Sequence, residues 1–225
     1  MKNNDQAIIF AAHPDDEILG CGGTIARMVN EGIDVHVVFF ADGESSRDNK
    51  KNINNLINIR KRNAQTACSI VGCKSVEFLD FPDNRMDSCD LIEIVKKVEF
   101  FINLYQPKKV FTHFSDDLNI DHQIVNQAVV TACRPKPENS VKELYFFEIP
   151  SSTDWGIKNV FSPNSFCDIS STFDLKIKAL QAYKSELQDF PHSRSIPAME
   201  AMATLRGSSV GLEKAEAFIL GRIIF

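Results

Sequence analysis

The sequence has no hydrophobic run that approaches the ~18 consecutive apolar residues of a membrane-spanning helix. Its longest apolar runs, such as Ala7–Ala12 and Val35–Ala41, are short. The first six residues lead directly into a strand-like run and do not show the pattern of a secretory signal peptide. The six cysteines are scattered and have no CxxC spacing, which argues against a disulfide framework. We therefore expect a cytoplasmic protein with no membrane span and with reduced thiols.

An excess of positive charge is also missing. The formal net charge of −5 disfavours binding to nucleic acid and to anionic membrane surfaces through bulk electrostatics. The contents of 44% hydrophobic and 24% charged residues are ordinary for a globular protein and exclude disordered and fibrous classes. With 225 residues and no internal repeat or low-complexity tract, we expect one domain.

Strand-like and helix-like segments alternate through the first two-thirds of the chain. The predicted strands are Ala7–Ala12, Asp34–Ala41, Val76–Phe81, Lys109–His113, Glu143–Ile149 and Ser165–Ile169. The predicted helices are Ile18–Val29, Ile53–Val71, Leu91–Leu104, Ile124–Ala132, Thr172–Leu187, Met199–Leu205 and Leu212–Phe218. This alternation predicts an α/β fold, a three-layer Rossmann-like and mostly parallel sheet with helices on both faces.

One imidazole and three carboxylates follow the first predicted strand, in the run AHPDDE at residues 12–17. Ligands of open α/β sheets bind at the carboxyl ends of strands, so this is the expected place of a site. Pro14 disfavours the helical conformation at His13, so the imidazole leaves the strand in an extended turn. Asp15 or Asp16 could simply cap the following helix, but a cap accounts for only one of the acids.

A second polar cluster follows the predicted strand Lys109–His113. It extends from His113 to His122 and contains three further aspartates and Asn119. Taken alone, an Asp-rich loop is usually a solvated turn. Two His/Asp clusters at the same edge of one sheet can converge, however, and ligation by imidazole nitrogen and carboxylate oxygen suits Zn²⁺.

These motifs resemble those of the PIG-L/LmbE-like zinc-dependent N-deacetylases, whose members remove the acetyl group from N-acetylglucosamine-type sugars. The run at residues 12–17 is the most specific signature of that family, and the pair Asp121-His122 is similar to its second motif. The resemblance continues through residues 43–45, the helix that contains Arg60–Arg62, residues 78–83 and residues 175–186. It therefore spans nearly the whole chain.

The resemblance implies a role for each residue of the first motif. His13, Asp16 and His122 match the zinc ligands of the family, and Asp15 matches its general base. Three protein ligands leave a fourth position for water, as in catalytic zinc sites. The implied reaction is hydrolysis of an N-acetyl group, which yields acetate and a free amine. A site of this composition also accepts Fe²⁺, Co²⁺ or Ni²⁺, so the metal itself stays open.

The sequence departs from the family pattern at one position. Many members carry a histidine three residues before the ligand histidine, where this chain has Asn119. Asparagine can donate a hydrogen bond to an oxyanion but cannot protonate a leaving amine. The proton could be returned by Asp15, which we place first, or come from His192 or His113. Either histidine could equally be a hydrogen-bonded structural imidazole.

Four arginines are candidates for substrate binding. Arg60 and Arg62 lie two positions apart and so face different sides of their helix, and the family often has an arginine here that reaches the site. Arg194 and Arg206 flank C-terminal helices and could clamp a phosphate or carboxylate through bidentate hydrogen bonds. Surface salt bridges are an equally good interpretation of the last two.

The sequence thus predicts a zinc-dependent N-deacetylase for a GlcNAc-type amino sugar or its conjugate. Residues 1–150 would form the Rossmann-like core and residues 151–225 would shape the substrate cleft. The partner would be this small molecule, and similar proteins are often homo-oligomers. One alternative is a metal-dependent amidohydrolase of a non-sugar amide. The other is a metal-retaining Rossmann-like binding protein without turnover, which Asn119 suggests and Asp15 disfavours, because metal binding needs no base.

Overall fold

The computed structural model describes residues 5–47 and 52–225. Within these ranges the chain forms seven strands and six α-helices. The strands are β1 (Gln6–Ala11), β2 (Asp34–Ala41), β3 (Ser75–Phe81), β4 (Lys109–His113), β5 (Glu143–Phe147), β6 (Ser165–Asp168) and β7 (Ala215–Ile223). The helices are α1 (Asp16–Asn30), α2 (Ile53–Val71), α3 (Leu91–Tyr105), α4 (Ile120–Ala132), α5 (Phe173–Leu180) and α6 (Ile196–Ser208).

The strands form one sheet in the order β3-β2-β1-β4-β5-β7-β6. Strands β1 to β5 run parallel, whereas β7 runs antiparallel to both β5 and β6. The strand order reverses between β1 and β4, which are direct neighbours with Ile8 opposite Val110. At such a switch point the connections diverge and leave a crevice at the carboxyl ends of the two strands. Both polar clusters of the sequence follow these strands, so they meet at this crevice.

Helices cover both faces of the sheet because its central strands are buried on both sides. Alternate residues of β1 show the two layers: Ile9 packs in one core with α1, α2 and α5, and Ile8 and Phe10 pack in the other with α3 and α4. The predicted three-layer α/β fold is confirmed. None of the helices within the described ranges has the length and apolarity needed to cross a membrane.

The C-terminal third differs from the prediction at two places. The predicted helix Leu212–Phe218 is wrong, because the chain there enters strand β7, which pairs with a neighbour on each side. The alanine and glutamate residues here favour helix locally. As a strand between two partners, however, the segment forms backbone hydrogen bonds on both edges and buries Phe218. The predicted helix Thr172–Leu187 is also too long, since α5 ends at Leu180 and a 3₁₀ turn follows it.

Helix α1 is kinked at Cys21, where φ is −148° and ψ is 25°. The N–H groups of Gly23 and Thr24 beyond the kink donate to the carboxylate of Glu216 on β7, at 3.0 and 2.7 Å. Lys176 of α5 donates to Glu216 Oε1 at 2.6 Å and to a carbonyl of α1 at 2.8 Å. A buried ion pair therefore takes up the helical hydrogen bonds that the kink removes and ties α1 to the C-terminal third.

Candidate metal and active site

The turn after β1 is strained at a single residue. Asp15 has φ 135° and ψ −26°, a conformation that residues other than glycine rarely adopt. Side chains of the turn hold it in place: His13 N–H donates to Asp16 Oδ2 at 2.8 Å, and Asp15 N–H donates to Glu17 Oε2 at 3.0 Å. Such strain persists only where the surroundings over-determine it, and it concentrates at functional sites.

The three predicted metal-ligating residues converge at this turn. Asp16 Oδ2 lies 3.4 Å from His13 Nδ1 and 3.3 Å from His122 Nε2. Two atoms that each lie ~2.0–2.1 Å from one tetrahedral zinc ion are themselves about 3.3 Å apart, so these separations suit a shared cation. Asp16 Oδ1 is buried and has no hydrogen-bond partner within residues 5–47 and 52–225, so a ligand would satisfy it. The residues present therefore fit a zinc ion.

Each of these two histidines has a carboxylate at its other ring nitrogen. His13 Nε2 lies 3.1 Å from Asp83 Oδ1 and 3.1 Å from Asp121 Oδ2, and His122 Nδ1 lies 3.0 Å from Asp117 Oδ1. Carboxylates in this position orient a ligating imidazole and fix its tautomer. No role was predicted for these three aspartates, although all three lie within or beside the runs that carry the family resemblance.

The outer carboxylates make the surroundings of the imidazoles strongly negative. Burial raises the pKa of Asp117, but hydrogen bonds with His122 and with two hydroxyl groups lower it to about 2. Burial likewise raises the pKa of Asp83, and contact with His13 and with a backbone N–H lowers it to about 2. At His122, burial lowers the pKa, but Asp16 and Asp117 raise it to about 9. The same field that favours a protonated imidazole also favours a bound metal cation.

Asp15 lies next to this group and contacts two arginines. Its Oδ2 atom lies 3.2 Å from Arg60 Nη2 and 2.9 Å from Arg194 Nη1. Burial raises the pKa of Asp15, and the positive charges of the two arginines offset that rise only in part. Because both arginines contact Oδ2, Oδ1 is the carboxylate oxygen that can accept a proton from water.

Other elements hold these two arginines in place. Arg60 is only 3% exposed, and its Nη1 atom pairs with Glu186, which also lies 3.9 Å from Arg194 Nη1. Arg194 Nε donates to Ser151 Oγ at 2.8 Å, and its side chain remains 20% exposed. Arg60 therefore lies under Asp15, whereas Arg194 reaches it from the solvent side. Glu186 is a further residue that the sequence analysis did not assign to the site.

The other two candidate arginines lie elsewhere. Arg62 is exposed on the opposite side of α2. Arg206 forms a bidentate pair with Glu148, at 2.8 and 2.7 Å, and its guanidinium lies over the ring of Phe161. A cavity opens beside His13 and Asp15, and neither arginine lines it.

Neither of the two additional histidines lines that cavity. His113 is fully buried, its Nε2 atom accepts a backbone N–H at 2.8 Å, and its ring stacks on that of His122 with 3.9 Å between centroids. Burial, and then the charge of His122, hold its pKa well below the usual value. His192 Nδ1 accepts the N–H of Arg194 at 3.0 Å, and its ring contacts Trp155. His113 thus lies beneath His122, and His192 beside the backbone of Arg194.

A cavity of about 120 Å³ opens at the candidate metal site. The residues that line it include His13, Asp15, Arg60, Asn84, Asn119 and Arg194. Asn119 is the N-cap of α4: its Oδ1 atom accepts the N–H of Asp121 at 2.8 Å. Its Nδ2 atom donates to Asn84 Oδ1 at 3.0 Å. The amide oxygen of Asn119 is therefore used by the helix, and its nitrogen is the group that can serve the cavity.

Residues 8–133 match the PIG-L family, described as GlcNAc-PI de-N-acetylase, over more than half of the chain. A probable N-acetyl-alpha-D-glucosaminyl L-malate deacetylase 2 of Bacillus cereus is 26% identical over 186 residues, which are 80% of this chain and 83% of that protein. YaiS of Escherichia coli, an uncharacterized deacetylase, is 30% identical over 184 residues, 79% of this chain and 90% of that protein. The solved structure of GalB, the 4-carboxy-2-hydroxymuconate hydratase of Pseudomonas putida, shares the fold with a TM-score of 0.82, at 24% identity and with 98% of each chain covered. The chain belongs to the PIG-L (LmbE-like) deacetylase family, the family that its motifs resemble.

Proposed function

We propose that this protein is a zinc-dependent N-deacetylase that hydrolyses the acetamide of a GlcNAc-type amino sugar or of its conjugate. The observation that carries the proposal is that Asp15 lines the same cavity as His13, which forms a group with Asp16 and His122 that could hold a metal ion. These three residues would hold the zinc ion, which when bound supplies an acidified water and polarises the amide carbonyl. The deacetylase names of the family and of its Bacillus cereus and Escherichia coli relatives support this choice of reaction.

Asp15 is the proton carrier in this proposal. Arg60 and Arg194 fix its carboxylate through Oδ2, so Oδ1 is left to take a proton from the attacking water. As the carbon–nitrogen bond breaks, the leaving amine needs a proton. Asp15 lines the cavity and His113 and His192 do not, which supports the proposal that Asp15 returns to the amine the proton that it took from the water.

Two side chains could form hydrogen bonds with the substrate. Asn119 Nδ2 can donate a hydrogen bond to the carbonyl oxygen as negative charge develops on it. Arg194 is partly exposed and contacts Asp15 through Nη1 alone, so its other guanidinium nitrogen can reach an anionic group on the substrate. This arrangement favours a conjugate that bears a carboxylate or a phosphate over a free neutral sugar.

The direct test is free-amine release from a panel of N-acetylglucosamine compounds in free, phosphorylated, UDP-linked and malate-linked form. Metal-free protein would be reconstituted with Zn²⁺ and compared with Asp15→Asn, with Asp116→Asn as a matched control outside the cavity. We expect zinc-dependent release that falls ~10²–10⁴-fold in Asp15→Asn while zinc stays bound. Asp116→Asn should retain the wild-type rate.

Two results would contradict the proposal. Unchanged activity in Asp15→Asn would remove Asp15 from the mechanism. If no compound of the panel released a free amine while zinc was bound to the protein, this substrate class would be excluded. That result would direct attention to a non-sugar amide, or to the addition of water to a carbon–carbon double bond, since a hydratase shares this fold.

A further inference from the structure

Asn84, in the turn after β3, connects four parts of the site. Its backbone is left-handed, with φ 52°. Its N–H donates to Asp121 Oδ2 at 2.7 Å, and its Nδ2 atom donates to Ser46 Oγ at 3.1 Å and to Asp83 Oδ1 at 3.2 Å. Its Oδ1 atom accepts from Asn119 Nδ2 at 3.0 Å. Glycine would adopt the left-handed backbone equally well and keep the N–H contact, so the three contacts of the amide side chain are what asparagine adds here.

These contacts leave one orientation for each of the two amides. Asn84 Nδ2 faces a carboxylate and a hydroxyl, so Asn84 Oδ1 must face Asn119. Asn119 Oδ1 already accepts the N–H of Asp121, so Asn119 Nδ2 must face Asn84. A primary amide nitrogen carries two hydrogens, and among the residues that the structure describes only one of them has an acceptor. Asn84 and Asn119 line the cavity together with His13 and Asp15, so the second hydrogen is available to a group bound there.

We propose that Asn84 is a positioning residue that fixes Asn119 as a preorganised hydrogen-bond donor to the oxyanion formed from the substrate carbonyl. The inference rests on the proposed function and deepens it. A donor that is already oriented needs no reorganisation when charge develops, which is the origin of the large effect of such groups on rate. The fixed amide would thereby supply transition-state stabilisation at the position where many family members have a histidine.

A double-mutant cycle tests whether Asn84 affects the reaction through Asn119. Asn84→Gly keeps the left-handed backbone and removes the amide, and Asn119→Ala removes the donor. We expect kcat to fall ~100-fold in Asn119→Ala and ~10-fold in Asn84→Gly, with KM little changed in both. If the effect of the Asn84 amide on kcat passes through Asn119 and not through its contact with Asp83, kcat of the double variant should match that of Asn119→Ala to within about twofold.

The control variant is Gln106→Gly, which changes another left-handed residue, with φ 49°, far from the cavity. It should leave kcat unchanged, and zinc content and thermal unfolding would be measured for every variant. A second readout is independent of turnover. The side-chain ¹⁵NH₂ signal of Asn119, assigned by its loss in Asn119→Ala, should be rigid in the wild type and mobile in Asn84→Gly by ¹⁵N relaxation.

Additive losses of kcat in the double variant would overturn the inference, as would an Asn119 amide that is equally mobile with and without Asn84. If the wild type released no amine from the substrate panel, the proposed function would fail. The relaxation measurement would still decide whether Asn84 orients Asn119.

Discussion

Arg60 and Asp15 form an ion pair inside the protein, with 3.2 Å between Nη2 and Oδ2 and with only 3% and 2% of their side chains exposed. Arg60 comes from the middle of α2, and Asp15 from the strained turn after β1. The pair therefore joins a helix to the candidate catalytic turn. A buried carboxylate is stable in its charged form only with such a partner, so Arg60 stabilises the turn and, in the proposed mechanism, supports the charged Asp15.

Replacing Arg60 tests this relationship. Arg60→Met removes the charge and keeps much of the volume, which leaves Asp15 and Glu186 without their buried cation and with the partly exposed Arg194 beside them. We expect the free energy of unfolding to fall by about 3–5 kcal/mol, measured by urea denaturation, and kcat to fall at least ~10-fold. Arg62→Met, an exposed arginine on the same helix, should change stability by less than about 0.5 kcal/mol. Equal effects of the two variants would contradict the role of Arg60.

Arg194 should discriminate between substrates. Arg194→Ala removes one partner of Asp15, so kcat should fall on every substrate that the enzyme accepts. If the guanidinium also binds an anion, kcat/KM should fall about tenfold further for a phosphorylated or malate-linked sugar than for a neutral one. The comparison needs both substrates with the same preparation. A loss of equal size on both would show that Arg194 acts through Asp15 alone.

Asp117 should control metal affinity without being a ligand. Its carboxylate accepts the hydroxyl of Thr153 at 2.5 Å and lies 3.0 Å from His122 Nδ1, so it orients the ring. Asp117→Asn should weaken zinc binding ~10–100-fold in a chelator competition assay, because outer carboxylates of this kind tune the ligand histidine. Asp116→Asn, one position earlier, should bind zinc like the wild type. Wild-type affinity in Asp117→Asn would rule out this role.

His36 should make the fold sensitive to acid. It lies in β2, far from the candidate site, with its ring nitrogens 2.7 Å from Ser75 Oγ and 2.7 Å from Gln6 Oε1. Burial, and then the charge of Lys74, lower its pKa to about 4. The unfolded chain takes up this proton near pH 6.5, so the contribution of His36 to stability is complete above about pH 6.5 and is lost as the pH falls toward 4.

The measurement is the free energy of unfolding of the wild type and of His36→Asn between pH 7 and pH 4. The wild type should lose up to about 3 kcal/mol more than the variant over this range. A difference between the two proteins that is constant with pH, or that grows in favour of the wild type on acidification, would contradict the lowered pKa.

Most of the fold follows from local patterns in the sequence. Short apolar runs and helical periodicity predicted β1 to β6 and most helices correctly. A strand that is buried on two faces shows a continuous apolar run, and a helix that is buried on one face shows apolar residues at helical spacing, so both patterns are visible within a few neighbouring residues. Strand β7 is the exception. Its first residues, 215–217, favour helix by themselves, and pairing with β5 and β6 makes them part of a strand. That pairing joins segments far apart in the chain, so no local pattern reveals it.

The candidate site was likewise predictable from the sequence only in part. The residue types of the two clusters, and the adjacency of the carboxyl ends of β1 and β4, could be read from the chain and its expected topology. The orientation of each side chain could not. Distances between residues from different elements decide which nitrogen of His13 faces Asp16 and which arginine reaches Asp15. They also decide that His113 is buried beneath His122. Chemical identity is a local property of the sequence, whereas orientation arises only when the packed elements bring distant residues within a few ångströms.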